Sequence, residues 1–308
     1  MNKIKFSLAA VFALIAAVIF GWFFFLGINF MNKGDFQKSI LMTLAACLLL
    51  FLMVLLIRKI KSTKRNFKNN AIIELFLLLI YLMLAVVAFV PFAHYFTVLS
   101  RKTEIKNKMD LGIDSVKKRF VDYEACANNS ILFESGRLDI AILGKVPDPD
   151  NYRAAGFKDN GIADNFQKTI LLDNYKDDFL PAKYDTLKKY ADNWLDDARS
   201  AFDKWKPISL MNVVNSIEKE ANGWIAQIRR YNSKSASCMG GPFSFASVDK
   251  ELIERSTPSL VPILFALGLF LVLLLPYIVA IRSPRHPGIV AALLKRNNGE
   301  GDGPGKVL

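Results

Sequence analysis

Four stretches of this sequence are long and apolar enough to cross a lipid bilayer, and they constrain the fold more than any other feature. A hydrocarbon core about 30 Å thick needs about 20 apolar residues in a helix. The stretches are about Phe6–Phe30, Ser39–Ile57, Ala71–Phe96 and Leu260–Ile281. The second and fourth carry no charge, and the third carries only Glu74, near its start. Leu, Ile, Phe and Val surround each stretch without a polar face, unlike the one-sided apolar stripe of a helix on a soluble core. Lys3 and Lys5 precede the first run, as in a signal peptide. That run outlasts a signal h-region and reaches Trp22-Phe23-Phe24-Phe25 with no small-residue cleavage site, so it is expected to remain as an anchor.

The net charge is +12, a value that invites a nucleic-acid reading. Its distribution removes that reading. Residues 101–257 hold 25 Lys+Arg and 24 Asp+Glu, leaving +11 for the short segments beside the apolar runs. The 58–70 loop has Arg58, Lys59, Lys61, Lys64, Arg65 and Lys68 and no acid. Basic residues in short loops are retained on the cytoplasmic side, so these six are the topology-determining residues. Alternation then places both termini inside and residues 101–257 outside. Anionic lipid head groups would attract the same residues. No nucleic-acid partner is expected.

Of three cysteines, Cys47 lies within the second span as a small apolar packing residue. Cys126 and Cys238 fall in the outer segment, where the compartment permits a disulfide. A bridge closing so long a loop would contribute about 4–5 kcal/mol in the chain-entropy model; two separate buried thiols are the alternative. His94, at the outer end of the third span, and His286, in the tail, join no cluster with metal-ligand spacing. No metal, cofactor or catalytic residue is expected.

The outer segment reads as mainly helical. Ile105, Met109, Ile113, Val116, Phe120 and Tyr123 recur at helical spacing, so 97–125 predicts an amphipathic helix continuing from the third span. Ile131-Leu132-Phe133 and Ile140-Ala141-Ile142-Leu143 fit strands or helix fragments. The Gly and Pro residues of 144–165 predict loop, with Asp148-Pro149-Asp150-Asn151 a solvated turn. Residues 183–206 predict a helix with the stripe Tyr184, Leu187, Ala191, Trp194, Ala198, Ala201 and Trp205, stopped by Pro207. Ser209 is the candidate N-cap of a following helix through Trp224 to Tyr231. Ser233–Phe245 reads as a loop. The three tryptophans, Trp194, Trp205 and Trp224, suit a core more than a binding surface.

The sequence contains no phosphate-binding glycine loop, nucleophile elbow or HExxH motif. Glu74, about one turn from the cytoplasmic boundary, and His94, at the other interface, are placed to reach water, so an ion path through the bilayer is only a minor alternative. Ala9, Ala10, Ala13, Ala16, Ala17 and Gly21 suit close helix approach in the first span.

The resulting expectation is an all-α membrane protein with four transmembrane helices and a mainly helical extracytoplasmic domain between the third and fourth. Its parts are 1–100 with three spans (about 6–30, 39–57 and 71–96), the outer domain 101–257, the fourth span 258–281 and a basic cytoplasmic tail 282–308. This layout resembles the TssN subunit of the Bacteroidota-type type VI secretion system, by architecture, length and composition over the whole chain. The resemblance implies a trans-envelope complex of the inner membrane that anchors a contractile apparatus, with other envelope subunits and membrane lipid as partners, and carries over no site residue. On this reading the chain is a non-enzymatic structural subunit, an oligomer or part of a hetero-complex. The alternative is a membrane sensor or regulator binding a ligand or protein through its periplasmic domain.

Overall fold

The computed structural model describes residues 8–62, 67–231, 238–254 and 257–280. Lys3, Lys5, Lys64, Arg65, the start of the Ser233–Phe245 loop and the tail 282–308, with His286, lie outside the described residues. The described helices are, in chain order, α1 (Leu8–Met31), α2 (Phe36–Ser62), α3 (Phe67–Ser100), α4 (Lys102–Leu143), α5 (Pro149–Ala154), α6 (Asp164–Phe179), α7 (Ala182–Asp203), α8 (Pro207–Arg229), α9 (Ala246–Ile253), α10 (Leu260–Leu273) and α11 (Leu275–Ile278). Among the described residues there is no strand. The chain divides into two compact units, one built from residues up to Arg101 and from Leu252 onward, the other from Lys102–Glu251.

In the first unit α1, α2 and α3 are each long and apolar enough to cross a membrane. Large apolar side chains such as Leu41, Leu48, Leu75 and Leu82 are exposed on their outer faces, which suits lipid rather than water. α1 is central and packs on α2, α3, α10 and α11. Phe20 stacks on Phe92 at 5.4 Å and meets Phe270 at 5.1 Å, joining α1, α3 and α10 through one aromatic cluster. α1 and α3 approach closely at Gly27: a Cβ there would lie 1.8 Å from the Pro91 carbonyl oxygen.

Two expectations change here. The basic 58–70 segment is largely not a loop, because α2 continues to Ser62 and α3 begins at Phe67. Lys and Arg are good helix formers whose long side chains need not leave the helix to reach water. The last apolar stretch is not one uninterrupted helix. α10 stops after 14 residues, about 21 Å, and α11 follows a break at Leu274. Pro276 explains the break, since it offers no N–H to the Val272 carbonyl and crowds it.

In the second unit α4 runs for 42 residues, about 63 Å. It absorbs the 131–133 and 140–143 runs that the sequence left between strand and helix, while α3 ends at Ser100 and Arg101 forms a turn. Ile105, Met109, Ile113, Val116, Phe120, Tyr123 and Ala127 form its buried stripe. Against it α7 buries Tyr184, Ala191, Leu195, Ala198 and Phe202, and α8, which packs on α7, buries Leu210, Val214, Ile217, Ala221, Trp224 and Ile228. Lys106–Asp203, Asp110 and Asp114 with Arg199, Lys117–Asp196 and Glu124–Lys188 pair α4 with α7 in falling order, so the two helices run antiparallel. Each partly exposed pair is worth little alone, about 0–1 kcal/mol; together they oppose slippage of the register.

Helix ends also differ from the sequence reading. Pro207 does not stop α7. That helix closes on Trp205 in the left-handed region at φ 45°, with Lys206 N–H donating to the Ala201 carbonyl and Trp205 N–H to that of Phe202. Pro207 instead opens α8, where its missing N–H costs nothing, and Lys206 rather than Ser209 is the N-cap. Asp148 is likewise the N-cap of α5, accepting from Asn151 N–H at 3.1 Å, rather than part of a solvated turn.

Because Gly27 has no space for a methyl group, Gly27→Ala is expected to destabilise the full-length protein by about 1–3 kcal/mol. Gly268→Ala, where a Cβ meets nothing within 4 Å, should leave the melting temperature in detergent unchanged or slightly raised. Thermal unfolding of both variants beside the parent protein checks this.

Candidate functional site

The polar groups of the first unit converge on the returning C-terminal segment. Lys61, at the end of α2, is buried, and its Nζ donates to the Tyr277 carbonyl at 2.9 Å while lying 4.4 Å from that residue's ring. The Tyr277 hydroxyl donates to Glu74 Oε1 on α3 at 2.6 Å. One residue therefore joins a lysine on α2 to a carboxylate on α3. The end of α11 makes this arrangement available, because the last carbonyls of a helix lack intrahelical donors and favour a cation.

Two further bonds repeat the pattern along α3. The Tyr81 hydroxyl donates to the Phe270 carbonyl at 3.1 Å, and His94 Nε2 lies 2.9 Å from the Leu252 carbonyl. A carbonyl can only accept, so this contact requires the proton on Nε2. Glu74 and His94 are buried, not open to water as their positions in the sequence suggested. Sequence reasoning also missed Lys61, Tyr81 and Tyr277 as a set. The interruption by Pro276 was the available signal that this segment departs from a plain apolar helix.

In the second unit Trp224 is enclosed by rings, 5.9 Å from Trp194, 6.3 Å from Phe120 and 6.4 Å from Tyr190. Trp205 lies apart from them, with Lys102 Nζ 5.6 Å from its ring. Cys126 on α4 and Cys238 form a disulfide with Cα atoms 5.7 Å apart. The segment after Cys238 is held by side chains: Arg229 donates to the Gly240 carbonyl at 2.6 Å, and Asn222 exchanges two bonds with the backbone of Phe243.

Beyond the disulfide, Leu138, Ala141, Tyr152, Ala155 and Phe157 make a small separate core. At its edge the Tyr152 hydroxyl donates to Asp164 Oδ1 at 2.6 Å, and Lys145 Nζ donates to the same carboxylate at 3.0 Å. The Tyr152 hydrogen bond, with that of Lys145, holds the Asp164 carboxyl below the usual carboxylate range. The hydrogen bond from Asp164 in turn pushes Lys145 up.

No group of three His, Cys, Asp or Glu side chains arranged to hold a metal ion occurs among the described residues. Arg58 and Lys59 lie in the last turns of α2 and Lys68 in the first turn of α3, while Lys64 and Arg65 are outside the described residues. The structure therefore does not gather the six basic residues into one described cluster, and Lys61 turns inward. Chemically, Lys61–Tyr277–Glu74 can hold helices together and keep two ionisable groups compensated away from water.

These features define an all-helical membrane protein. Comparison of the chain with protein families, with curated proteins and with solved structures gives no match.

Two outcomes follow from the geometry. Tyr277→Phe removes the donor to Glu74 and is expected to cost about 1.5–3 kcal/mol; with Glu74→Gln in a double-mutant cycle, the two losses should be less than additive. Melting temperatures of the four detergent-solubilised proteins measure this. For Asp164, a lowered folded-state pKa means a stabilising contribution fully present above the unfolded value near 4 and lost as pH falls through the folded value. Asp164→Asn should therefore flatten the acid limb of the stability–pH curve, read by tryptophan fluorescence.

Proposed function

We propose that the chain is a non-enzymatic structural subunit of a multiprotein inner-membrane complex. It crosses the membrane four times, with both termini cytoplasmic and the unit between the third and fourth spans periplasmic. The observation that carries this reading is the use made of the buried polar groups. Lys61, Tyr81 and His94 each bond a backbone carbonyl of the segment Leu252–Tyr277, so groups that could serve chemistry serve attachment instead.

The same bonds support the fourth crossing. Glu74 meets Tyr277, Tyr81 meets Phe270 and His94 meets Leu252, an antiparallel register along α3. Glu74 and His94 stand 20 residues apart, about 30 Å along a helix, the thickness of a hydrocarbon core. The returning segment covers that distance although its main helix is short. The basic excess beside the spans supports cytoplasmic termini, and the Cys126–Cys238 bridge suits an oxidising compartment for the intervening unit. The assembly proposed is the trans-envelope anchor of a type VI secretion system, on the architectural resemblance to TssN.

The test is mild detergent extraction from the native membrane followed by size analysis and identification of co-purifying proteins. A complex far larger than 34.6 kDa, containing other envelope subunits, is the expected result; contractile-sheath or baseplate anchoring proteins among them would support the secretion assignment. A lone monomer would overturn the subunit reading.

A further inference from the structure

The reversal between α7 and α8 lies at the end of the second unit where the chain enters and leaves it. The unit begins at Lys102 and ends at Glu251. These ends are close together, because Lys108 Nζ bonds Glu251 at 2.7 Å. The reversal is beside them: Lys106 Nζ bonds Asp203 at 2.6 Å, and Lys102 Nζ stands 5.6 Å from the Trp205 ring. Leu99, the last apolar residue of α3 and 37% exposed, precedes Lys102 by three residues. The two are therefore at most about 11 Å apart, even along a fully extended chain. If α3 spans a membrane, the α7–α8 turn stays within side-chain reach of the lipid head groups, and covalent continuity alone requires it.

The charge at this end is not balanced within the chain. Lys106 is answered by Asp203, and Lys108 by Glu104 and Glu251. Lys102, Lys204 and Lys206 make no ion pair among the described residues, and the last two are exposed. Trp205 is buried between them at φ 45°, uncommon for a bulky residue, and the reversal there leaves Lys204 and Lys206 on the outside. Lys204 suits the C-terminus of α7, but Lys206 does not suit its own place. It is the N-cap of α8, where an ammonium group cannot accept from the first N–H groups and is opposed by the helix dipole. Helix stability alone would select Ser or Asp there. An anion supplied from outside resolves the conflict, because it is attracted by the lysines and by the helix terminus together. Ile208, two residues further on, adds an apolar side chain that is 38% exposed.

We propose that the α7–α8 turn is a membrane-surface contact, in which Lys102, Lys204 and Lys206 hold the phosphate groups of anionic phospholipids and Ile208 reaches the apolar boundary beneath them. Lysine suits this task, since its long apolar stem lies along lipid while its ammonium group stays at the head groups. The contact gives the second unit a third point of attachment beside its two covalent links. The proposal rests on the reading of α3 as a span and requires neither the fourth crossing nor any partner protein.

Fluorescence quenching of the full-length chain in lipid nanodiscs tests it. In a Cys47→Ala background with the Cys126–Cys238 bridge retained, Ile208→Cys or Leu143→Cys is labelled with bimane, and the discs carry a lipid with a nitroxide on its head group. Leu143 ends α4, about 62 Å of helix from Lys102, and serves as the distant site. In discs containing phosphatidylglycerol, quenching at 208 is expected to exceed that at 143 by about fivefold or more, and to fall by about half or more in raised salt. The same fall is expected in discs of phosphatidylcholine alone and on Lys204→Glu with Lys206→Glu, while Lys204→Gln with Lys206→Gln falls between. An unchanged melting temperature of the charge variants confirms their fold. Quenching at 208 no greater than at 143, or unmoved by the charge reversal or by removal of phosphatidylglycerol, would overturn the proposal and leave the spanning reading standing. Release by inorganic phosphate beyond that by sodium chloride of equal ionic strength would overturn the lipid assignment in favour of a free-anion site. A chain that does not enter the discs would overturn the spanning reading and the proposal with it.

Discussion

Every backbone carbonyl in lipid must find a donor, and the first unit is organised by that requirement. α1, α2 and α3 meet it internally over most of their length. The segment from Leu252 to Tyr277 is less regular, because Pro276 interrupts its helix. Lys61, Tyr81 and His94 bond its Tyr277, Phe270 and Leu252 carbonyls, the first two of which also accept a backbone N–H. Two consequences follow from one cause: the returning segment is fixed against α2 and α3, and a lysine and a glutamate that would be costly in isolation are compensated through Tyr277.

The second unit solves a different problem. In water the backbone of α4 needs no help, and the difficulty is to hold a 42-residue helix on one register. The buried stripe from Ile105 to Ala127 supplies the attraction, but its three- and four-residue spacing would also tolerate a shift by one turn. The pairs from Lys106–Asp203 to Glu124–Lys188 would then face like charges or lose their partners, which distinguishes the observed alignment from its neighbours. The balance of 25 basic and 24 acidic residues over 101–257 is thus in part a pairing of α4 with α7.

Much of this was legible in the sequence where one physical demand dominates. Length and apolarity give α1, α2 and α3, and the stripes of α7 and α8 follow from 3.6-residue periodicity. The continuation of α4 beyond Ala127 was not legible, because Leu132 and Ile140 are apolar yet exposed and so blur the stripe made by Leu138 and Ala141. Lys61 looked like any other basic residue of its segment, since a sequence does not say which lysine faces a broken helix 216 residues away. Trp205 continued the spacing of α7 on paper, but the helix ends at Asp203 and the chain reverses at that very residue.

The disulfide has a mechanical meaning for a second unit whose two ends both run into the first. Tension entering at Lys102 and leaving at Glu251 would follow α4 only as far as Cys126, cross the sulfur–sulfur bond, and continue from Cys238 into α9. Everything from Ala127 to Ser237 is a side loop to that covalent route and bears no load. The α6 face, the small core around Tyr152 and the tryptophan-lined packing of α8 would keep their shape under a pull that would otherwise unravel them.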